Sequence, residues 1–317
     1  MVINASVGSA PPDLAEPPGR PSGSSWYRMA GRALDPRLTI RLRTEREVYQ
    51  TLSGPLRPGG SVVVIGNEPV VQAAVAGLIS LAVARFQRSR VLAVDASMDG
   101  GLAERLAARG APGRADDVGQ PGAVGLPTVL ARLGVRDPGR VDRPLVKTWL
   151  YRELVNPDGV LLAGADPAGL TGPEHLALVA ALTRYVTLFV THAPQSAAAD
   201  LVPWAVHTAD RVVVVGADNR AGHQDLRSWL GWLGQVRRQP QGQAVVAALL
   251  PLPTGGRTSG MPVDLGVAHL VLPRDDVLVR RGPLGWGALA PGTQDIALQL
   301  ASRCVERLGD DPESRRG

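Results

Sequence analysis

The sequence predicts an α/β domain, in which a doubly wound and mainly parallel sheet carries helices on both faces. Short runs of apolar, β-branched residues recur along the chain, and helical stretches lie between most of them. Continuous apolar runs are typical of parallel strands that are covered on both faces. The predicted strands are residues 61–66, 90–95, 159–164, 186–191, 211–216, 244–250 and 267–272.

The first strand–helix–strand unit is the clearest one. The run SVVVIG (61–66) is followed by a long apolar helix over 70–87 and by RVLAVD (90–95). Residues 69–84 carry no charge, but a membrane span needs about 20 apolar residues. This stretch is shorter, begins with proline and contains Gln72. We therefore predict a buried core helix and no transmembrane span.

The composition predicts three regions. Residues 1–36 are rich in proline, glycine and serine at their start and form a predicted disordered arm. The α/β domain is predicted over 37–309, with its core from about residue 60 and a short helix within the basic stretch 26–57. Residues 310–317 are a predicted flexible tail. With one cysteine and no apolar leader after a positive start, we expect a cytoplasmic protein.

The charged residues, the cysteine and the histidines limit which kinds of catalysis and binding the sequence can support. Of the 34 basic residues only Lys147 is a lysine, so chemistry that needs an amine depends on that position. The net charge of +5 permits contact with nucleic acid or acidic lipid without requiring it. Cys304 is predicted to be a small core residue, and the histidines show no metal-binding spacing, so no metal site is predicted. The histidines are His175, His192, His207, His223 and His269.

The turn after the first strand is where an open α/β sheet usually binds phosphate. A phosphate-binding loop needs glycines, a lysine for the terminal phosphates and a hydroxyl for magnesium. Here the turn reads GNEPVVQAAV (66–75), with one glycine, no lysine and no hydroxyl. It also lacks the G-x-G-x-x-G pattern of dinucleotide-binding proteins.

The run 62–106, from VVVIGNEPVVQAAV to VLAVDASMDGGLAERL, resembles the opening of MinD/ParA-type P-loop ATPases with their deviant Walker A loop, GGKGGVGKTT. The similarity continues through LLAGADPAGLTGP (161–173), VTLFVTHAP (186–194) and the closing segment 272–308, and covers roughly 36–309. It is nearest to the actinobacterial branch found beside type VII secretion systems. The resemblance implies that family's α/β fold.

The resemblance also assigns positions to the family's motif residues. After the retained Gly66, Asn67 stands at the position of the signature lysine, and Glu68 and Pro69 stand at the two glycines that follow it. Val71 replaces the last glycine and Gln72 the catalytic lysine. Ala73 and Ala74 replace the two residues with hydroxyl groups. The family's acidic positions fall on Asp95 and Asp99, and its switch aspartate is replaced by Thr191. We interpret Asp95 and Asp99 as turn residues, and expect His192 to pack or to make a turn hydrogen bond.

These departures predict a pseudo-ATPase with no catalytic residues and no productive binding of ATP or Mg²⁺. Pro69 removes a backbone donor, Val71 replaces a flexible glycine, and Glu68 brings negative charge toward phosphate. The same residues suit a helix start, with Asn67 as N-cap and Pro69 in the first turn. We therefore expect a self-capped, closed loop.

Two tryptophans provide a candidate partner surface. Trp229 and Trp232 are spaced to share one helix face, where they either anchor a partner or pack in the core. The family's membrane-targeting terminal helix corresponds here to 293–308, which we expect to dock on the domain instead. Peripheral membrane association stays open.

The leading hypothesis is a cytoplasmic binding, scaffolding or regulatory protein for a type VII secretion or a cell-envelope or partitioning machine. Its partners would be proteins, including a second copy of the chain or an ATPase-competent paralogue. One alternative is a divergent ATPase in which arginine replaces the loop lysine. Another is a nucleic-acid-binding module that uses the basic segment 28–57.

Overall fold

The computed structural model describes residues 36–87, 90–98, 101–106, 124–125, 159–164, 170–197, 200–236, 245–251, 265–306 and 308. The predicted arm and tail lie almost entirely outside these residues. The chain divides into two units, Met1–Glu47 and Val48–Gly317, whose boundary falls within helix α1 (Pro36–Ser53). All that follows concerns the second unit.

A single sheet of eight parallel strands forms the framework of this unit. In space the strands follow the order β3, β4, β2, β5, β1, β6, β7, β8, and each neighbouring pair is parallel. Their bounds are β1 Gly60–Gly66, β2 Val91–Asp95, β3 Val124–Gly125, β4 Val160–Gly164, β5 Leu188–His192, β6 Arg211–Ala217, β7 Val245–Leu250 and β8 His269–Val271. All seven predicted strands are present, and only the two-residue β3 was not predicted.

The helices after α1 cover both faces of the sheet. Their bounds are α2 Pro69–Gln87, α3 Gly101–Leu106, α4 Gly172–Leu182, α5 Leu201–Thr208, α6 Arg220–Val236, α7 Asp276–Val279 and α8 Pro291–Val305, with a 3₁₀ turn at Trp286–Ala288. Buried side chains form two separate cores. One joins α2, α3, α7 and α8 to the sheet, and the other joins α4, α5 and α6 to it. The predicted doubly wound architecture is confirmed.

Helix α2 is the central helix of the first core. It is long and apolar enough to cross a membrane, but 78% of its most apolar window is buried inside the protein. It packs on strands β1, β2, β5 and β6 and against α8. As predicted, α2 is a core helix.

Cys304 on α8 lies in the same core, as predicted. Its side chain is fully buried, and burial raises the pKa of the thiol to about 12, although the charge of Arg211 opposes this rise. A thiol with so high a pKa carries almost no thiolate at neutral pH, so Cys304 is not a nucleophile.

Candidate functional site

The carboxyl ends of parallel strands meet at one edge of the sheet, and ligands of open α/β folds bind beyond that edge. Here β1 ends at Gly66, β2 at Asp95 and β5 at His192. Asp95 and His192 are register partners, and His192 also pairs with Val64 of β1. The β1 turn, the carboxylate of Asp95 and the imidazole of His192 therefore lie at the same edge of the sheet.

Gly66 is required by the packing of the sheet itself. It pairs with Val215 of β6, and a Cβ atom at this position would lie 2.2 Å from the carbonyl oxygen of Val215. Atoms cannot approach so closely without a shift of the backbone. The one glycine that the turn shares with a phosphate loop thus has a structural explanation.

The start of α2 differs in one detail from the predicted cap. Gln72 donates its backbone N–H to the carbonyl oxygen of Glu68 at 3.0 Å, so Glu68 occupies the N-cap position and Pro69 begins the helix. The prediction that Asn67 is the N-cap is wrong, because the helix starts one residue later than an Asn67 cap requires. Pro69 is well placed, since the first helical residue needs no N–H donor.

Asn67 instead fastens the turn to two neighbouring elements. Its side-chain oxygen accepts hydrogen bonds from Nε2 of Gln195 at 2.9 Å and from the indole Nε1 of Trp229 at 2.8 Å. Gln195 follows β5, and Trp229 belongs to α6. The position at which the resemblance places the signature lysine is thus occupied by a neutral amide that holds three segments together.

Gln72 takes the position of the catalytic lysine. Its side chain is fully buried, and neither amide atom has a hydrogen-bond partner among the described residues. Nε2 lies 3.4 Å from where a Cβ of Gly66 would be, so the amide lies beside the turn. Ala73 and Ala74, at the hydroxyl positions, are buried in the same core. The described part of this turn provides neither an ammonium group nor a hydroxyl.

The unpartnered amide leads to a stability prediction. Gln72→Met keeps the length of the side chain and removes two buried polar atoms without partners. We expect the free energy of unfolding to rise by about 1–2 kcal/mol, because an unsatisfied buried polar group costs about that much. Urea unfolding of the two purified proteins, followed by circular dichroism, measures the difference.

Gln87→Met is the matched control for this prediction. Gln87 lies at the end of the same helix, and its Nε2 donates to the carbonyl oxygens of Leu52 and Gly54. Loss of these bonds should lower stability by about 1 kcal/mol. If Gln72→Met is destabilising like its control, the Gln72 amide has a partner and the interpretation of an unsatisfied group is wrong.

Asp95 is a buried cap for the turn that follows β2. Oδ1 accepts hydrogen bonds from the backbone N–H and the hydroxyl of Ser97 and from Nδ1 of His192 at 3.1 Å. Oδ2 accepts from the N–H of Ala103 at 2.7 Å, near the start of α3. The interpretation of Asp95 as a turn residue is confirmed, and His192 makes the expected hydrogen bond.

The charge of Asp95 is maintained by these contacts. Burial alone would raise the pKa of Asp95, but the hydrogen bond and charge of His192, with the bonds from Ser97 and Ala103, outweigh burial and lower it. Asp95 is therefore ionised at neutral pH, as part of a buried network. Nε2 of His192 is buried and has no hydrogen-bond partner among the described residues.

Thr191 faces the opposite side of the sheet from this network. Its hydroxyl lies 2.9 Å from Nε2 of His175 on α4, and both side chains are buried. Burial lowers the pKa of His175 to about 4, so its imidazole is neutral at physiological pH. The position of the switch aspartate is thus engaged in a structural hydrogen bond between β5 and α4.

A surface pocket of about 570 Å³ opens next to the β1 turn, between α5 and α6. We call it the tryptophan pocket, and its walls include Asn67, Gln195, Val202, Asp225, Trp229 and Trp232. The two indole rings meet edge to face with centroids 5.3 Å apart. Both tryptophans also contact the core beneath α6, so they share in packing and in lining the pocket.

The sequence did not indicate how these residues combine. Gln195 and Asp225 were not predicted, although Asp225 precedes Trp229 by four residues and so shares its face of α6. Asp99 and Lys147 lie outside the described residues. In the ranges that the structure describes, no group of three or more His, Cys, Asp or Glu side chains could hold a metal ion.

Comparison with solved structures shows that the chain has the α/β fold of the MinD/ParA P-loop NTPases. The ParA family ATPase of Chlorobium tepidum TLS matches with a TM-score of 0.51 and 15% identity, over 79% of this chain and 98% of that one. A chain of the MinC:MinD cell division complex of Aquifex aeolicus matches with a TM-score of 0.52 and 17% identity, over 80% of this chain and 97% of that one.

The cell division ATPase MinD of Pyrococcus furiosus is similar to the same extent, with a TM-score of 0.51 and 15% identity, over 79% of this chain and 99% of that one. No protein-family model and no curated protein matches the sequence. Identities this low establish the common fold, while function depends on the residues of the site.

Proposed function

We propose that this chain is a catalytically inactive MinD/ParA-like protein, a pseudo-ATPase that works in the cytoplasm as a binding, scaffolding or regulatory protein. The observation that carries the proposal is the neutral, buried amide of Gln72 beside the β1 turn. A P-loop enzyme needs an ammonium group here to hold the phosphates and to stabilise the charge of the transition state.

The electrostatics of the turn support the same conclusion. Glu68 brings an exposed carboxylate to the start of α2, where a phosphate would have to bind. The positive end of a helix favours an anion, and here the side chain of the protein supplies one. Pro69 further reduces the number of backbone donors available to a phosphate.

Neither of the buried arginines among the described residues takes the place of the loop lysine. The two buried arginines there, Arg105 and Arg211, donate to backbone carbonyl oxygens of Val277, Leu278 and Glu306. Those carbonyls belong to the α7 and α8 end of the first core, and not to the β1 turn. An arginine that replaces the loop lysine would have to reach Gly66–Ala74.

A role in binding fits the comparisons. The Aquifex aeolicus relative was solved as a complex of MinD with MinC, which is a protein partner. By analogy we propose a protein partner here, either a second copy of this chain or an ATPase-competent paralogue. The sequence resemblance to the branch found beside type VII secretion systems makes such a secretion machine the proposed setting.

Titration with ATP and Mg²⁺ tests the proposal. We expect no heat of binding at millimolar ATP and no release of inorganic phosphate above the buffer rate, because residues 66–75 carry no cation to compensate the phosphate charge. The Chlorobium tepidum ParA family ATPase is the positive control in both assays. Micromolar binding would contradict the expected lack of productive ATP binding, and phosphate release that disappears in Gln72→Ala would show that the chain is an ATPase.

A further inference from the structure

The tryptophan pocket has the size and composition of a binding site. Its volume of about 570 Å³ falls within the range of roughly 300–1,000 Å³ typical of ligand sites. Its walls combine apolar and aromatic side chains with polar groups from Asn67, Gln195, Asp225 and Ser228. Such a composition leaves the polar groups to decide which ligand is accepted.

The charge of the pocket lining is the first observation that indicates what kind of ligand it binds. Among the described residues that line the pocket, Asp225 is the only charged one. Its carboxylate has no hydrogen-bond or ion-pair partner in the described part of the chain, and its side chain is half-buried. An unpaired carboxylate in a partly apolar wall favours a cationic ligand.

Hydrogen-bonding capacity gives the second criterion. The indole N–H of Trp229 and one N–H of Gln195 are both donated to Asn67. The hydroxyl of Ser228 is donated to the carbonyl oxygen of Gln224. The described lining residues keep acceptors, namely the carboxylate of Asp225, the amide oxygen of Gln195 and the lone pairs of Ser228, and also keep donors on the amide of Asn67 and the indole of Trp232. The strongest of these groups is the carboxylate of Asp225, which is best satisfied by a charged donor.

The aromatic walls give the third criterion. Asp225, Trp229 and Trp232 lie at i, i+4 and i+7 on α6, so the carboxylate and both indoles share one helix face. Indole is the best aromatic partner for a cation, and arginine makes this contact more often than lysine. A guanidinium group is planar, stacks on aromatic rings and offers five donors to spread over several acceptors.

We propose that the tryptophan pocket binds the guanidinium group of an arginine side chain carried by a partner polypeptide. The rim residues Asn67, Gln195, Pro203 and Ser228 are exposed, so the pocket can receive a side chain that projects from a larger molecule. This inference rests on the proposed function, because it names the partner chemistry for a protein that acts by binding.

The first test compares two small compounds that differ in charge. N-acetyl-arginine amide and N-acetyl-citrulline amide have nearly the same shape, but citrulline is neutral. We expect the arginine compound to change the tryptophan fluorescence of the full chain and to bind at least about fivefold more tightly than the citrulline compound. Equal binding of the two, or no binding of either, would overturn the proposal.

Substitution of the carboxylate gives the second test. Asp225→Asn should weaken binding of N-acetyl-arginine amide at least about fivefold, since the charge is lost and the shape is kept. Asp295→Asn, on the exposed side of α8 in the other helical layer, is the matched control and should leave binding unchanged. Unchanged affinity of Asp225→Asn would contradict the assignment.

A third comparison distinguishes a polypeptide from a free metabolite. The peptide Gly-Ser-Arg-Ser-Gly should bind at least as tightly as butylguanidine, which carries the same guanidinium group without a peptide or a second charge. Butylguanidine that binds more than about tenfold more tightly than the peptide would refute a polypeptide ligand. ATP hydrolysis by the chain would refute the proposed function and leave these titrations unaffected, so the two failures are distinguishable.

Discussion

Asp95→Asn is expected to lower the free energy of unfolding by about 3–5 kcal/mol, because several hydrogen bonds to a buried carboxylate are lost or left facing a donor, each at a cost of about 1.5–3 kcal/mol. The carboxylate accepts four hydrogen bonds, two from Ser97 and one each from Ala103 and His192. Asparagine replaces one acceptor oxygen by an NH₂ group, which would then face a donor. Urea unfolding at neutral pH measures the loss.

Asp276→Asn is the control for this substitution. Asp276 forms an exposed ion pair with Arg280 on the surface, and such pairs contribute about 0–1 kcal/mol. If Asp95→Asn loses no more stability than this control, the buried network does not stabilise the fold.

The same comparison has a defined pH dependence. Because the pKa of Asp95 is lower in the folded protein than in the unfolded chain, the stabilisation is complete above the unfolded value, about 4. It is lost as the pH falls through the folded-state pKa. The stability difference between the wild-type protein and Asp95→Asn should therefore shrink as the pH falls below about 4.

Gly66→Ala is the second substitution with a large expected effect. The added Cβ would lie 2.2 Å from the carbonyl oxygen of Val215, so β1 and β6 would have to separate at a central pair of the sheet. We expect the free energy of unfolding to fall by about 2–4 kcal/mol, as for overpacked core sites. Thermal and urea unfolding of the purified variant provide the measurement.

Gly285→Ala tests whether this loss comes from the contact. A Cβ at Gly285 meets no atom within 4 Å, and its φ of −111° suits any residue. We expect a change within about 0.5 kcal/mol. A Gly66→Ala protein as stable as Gly285→Ala would show that β6 can move aside without cost.

The apolar periodicity was sufficient to predict the sheet. Most of the seven strands could be predicted because they are nearly continuous apolar runs, which a parallel strand buried on both faces requires, whereas the edge strand β8 is partly exposed and contains His269. The strand β3 has only two residues, Val124 and Gly125, which is too short to leave a pattern. Pairing with β4 defines it, and pairing over this distance is not visible in local sequence.

The site was predictable in part. The missing lysine and hydroxyls could be read from the letters at 67–74, because the absence of a functional group does not depend on orientation. The role of Asn67 could not be predicted from the sequence, since its two hydrogen-bond partners, Gln195 and Trp229, are 128 and 162 residues away. Local preference suggested a helix cap at Asn67, and contacts from distant segments prevailed.

The strand order has a consequence for synthesis on the ribosome. Strand β1 and helix α2 emerge early, but β1 lies between β5 and β6, which are translated more than a hundred residues later. Until β5 and β6 appear, the long apolar helix α2 lacks two of the strands on which it packs. We therefore expect the nascent chain to need chaperone protection until β5 and β6 have been translated. A protein truncated before β6 should aggregate.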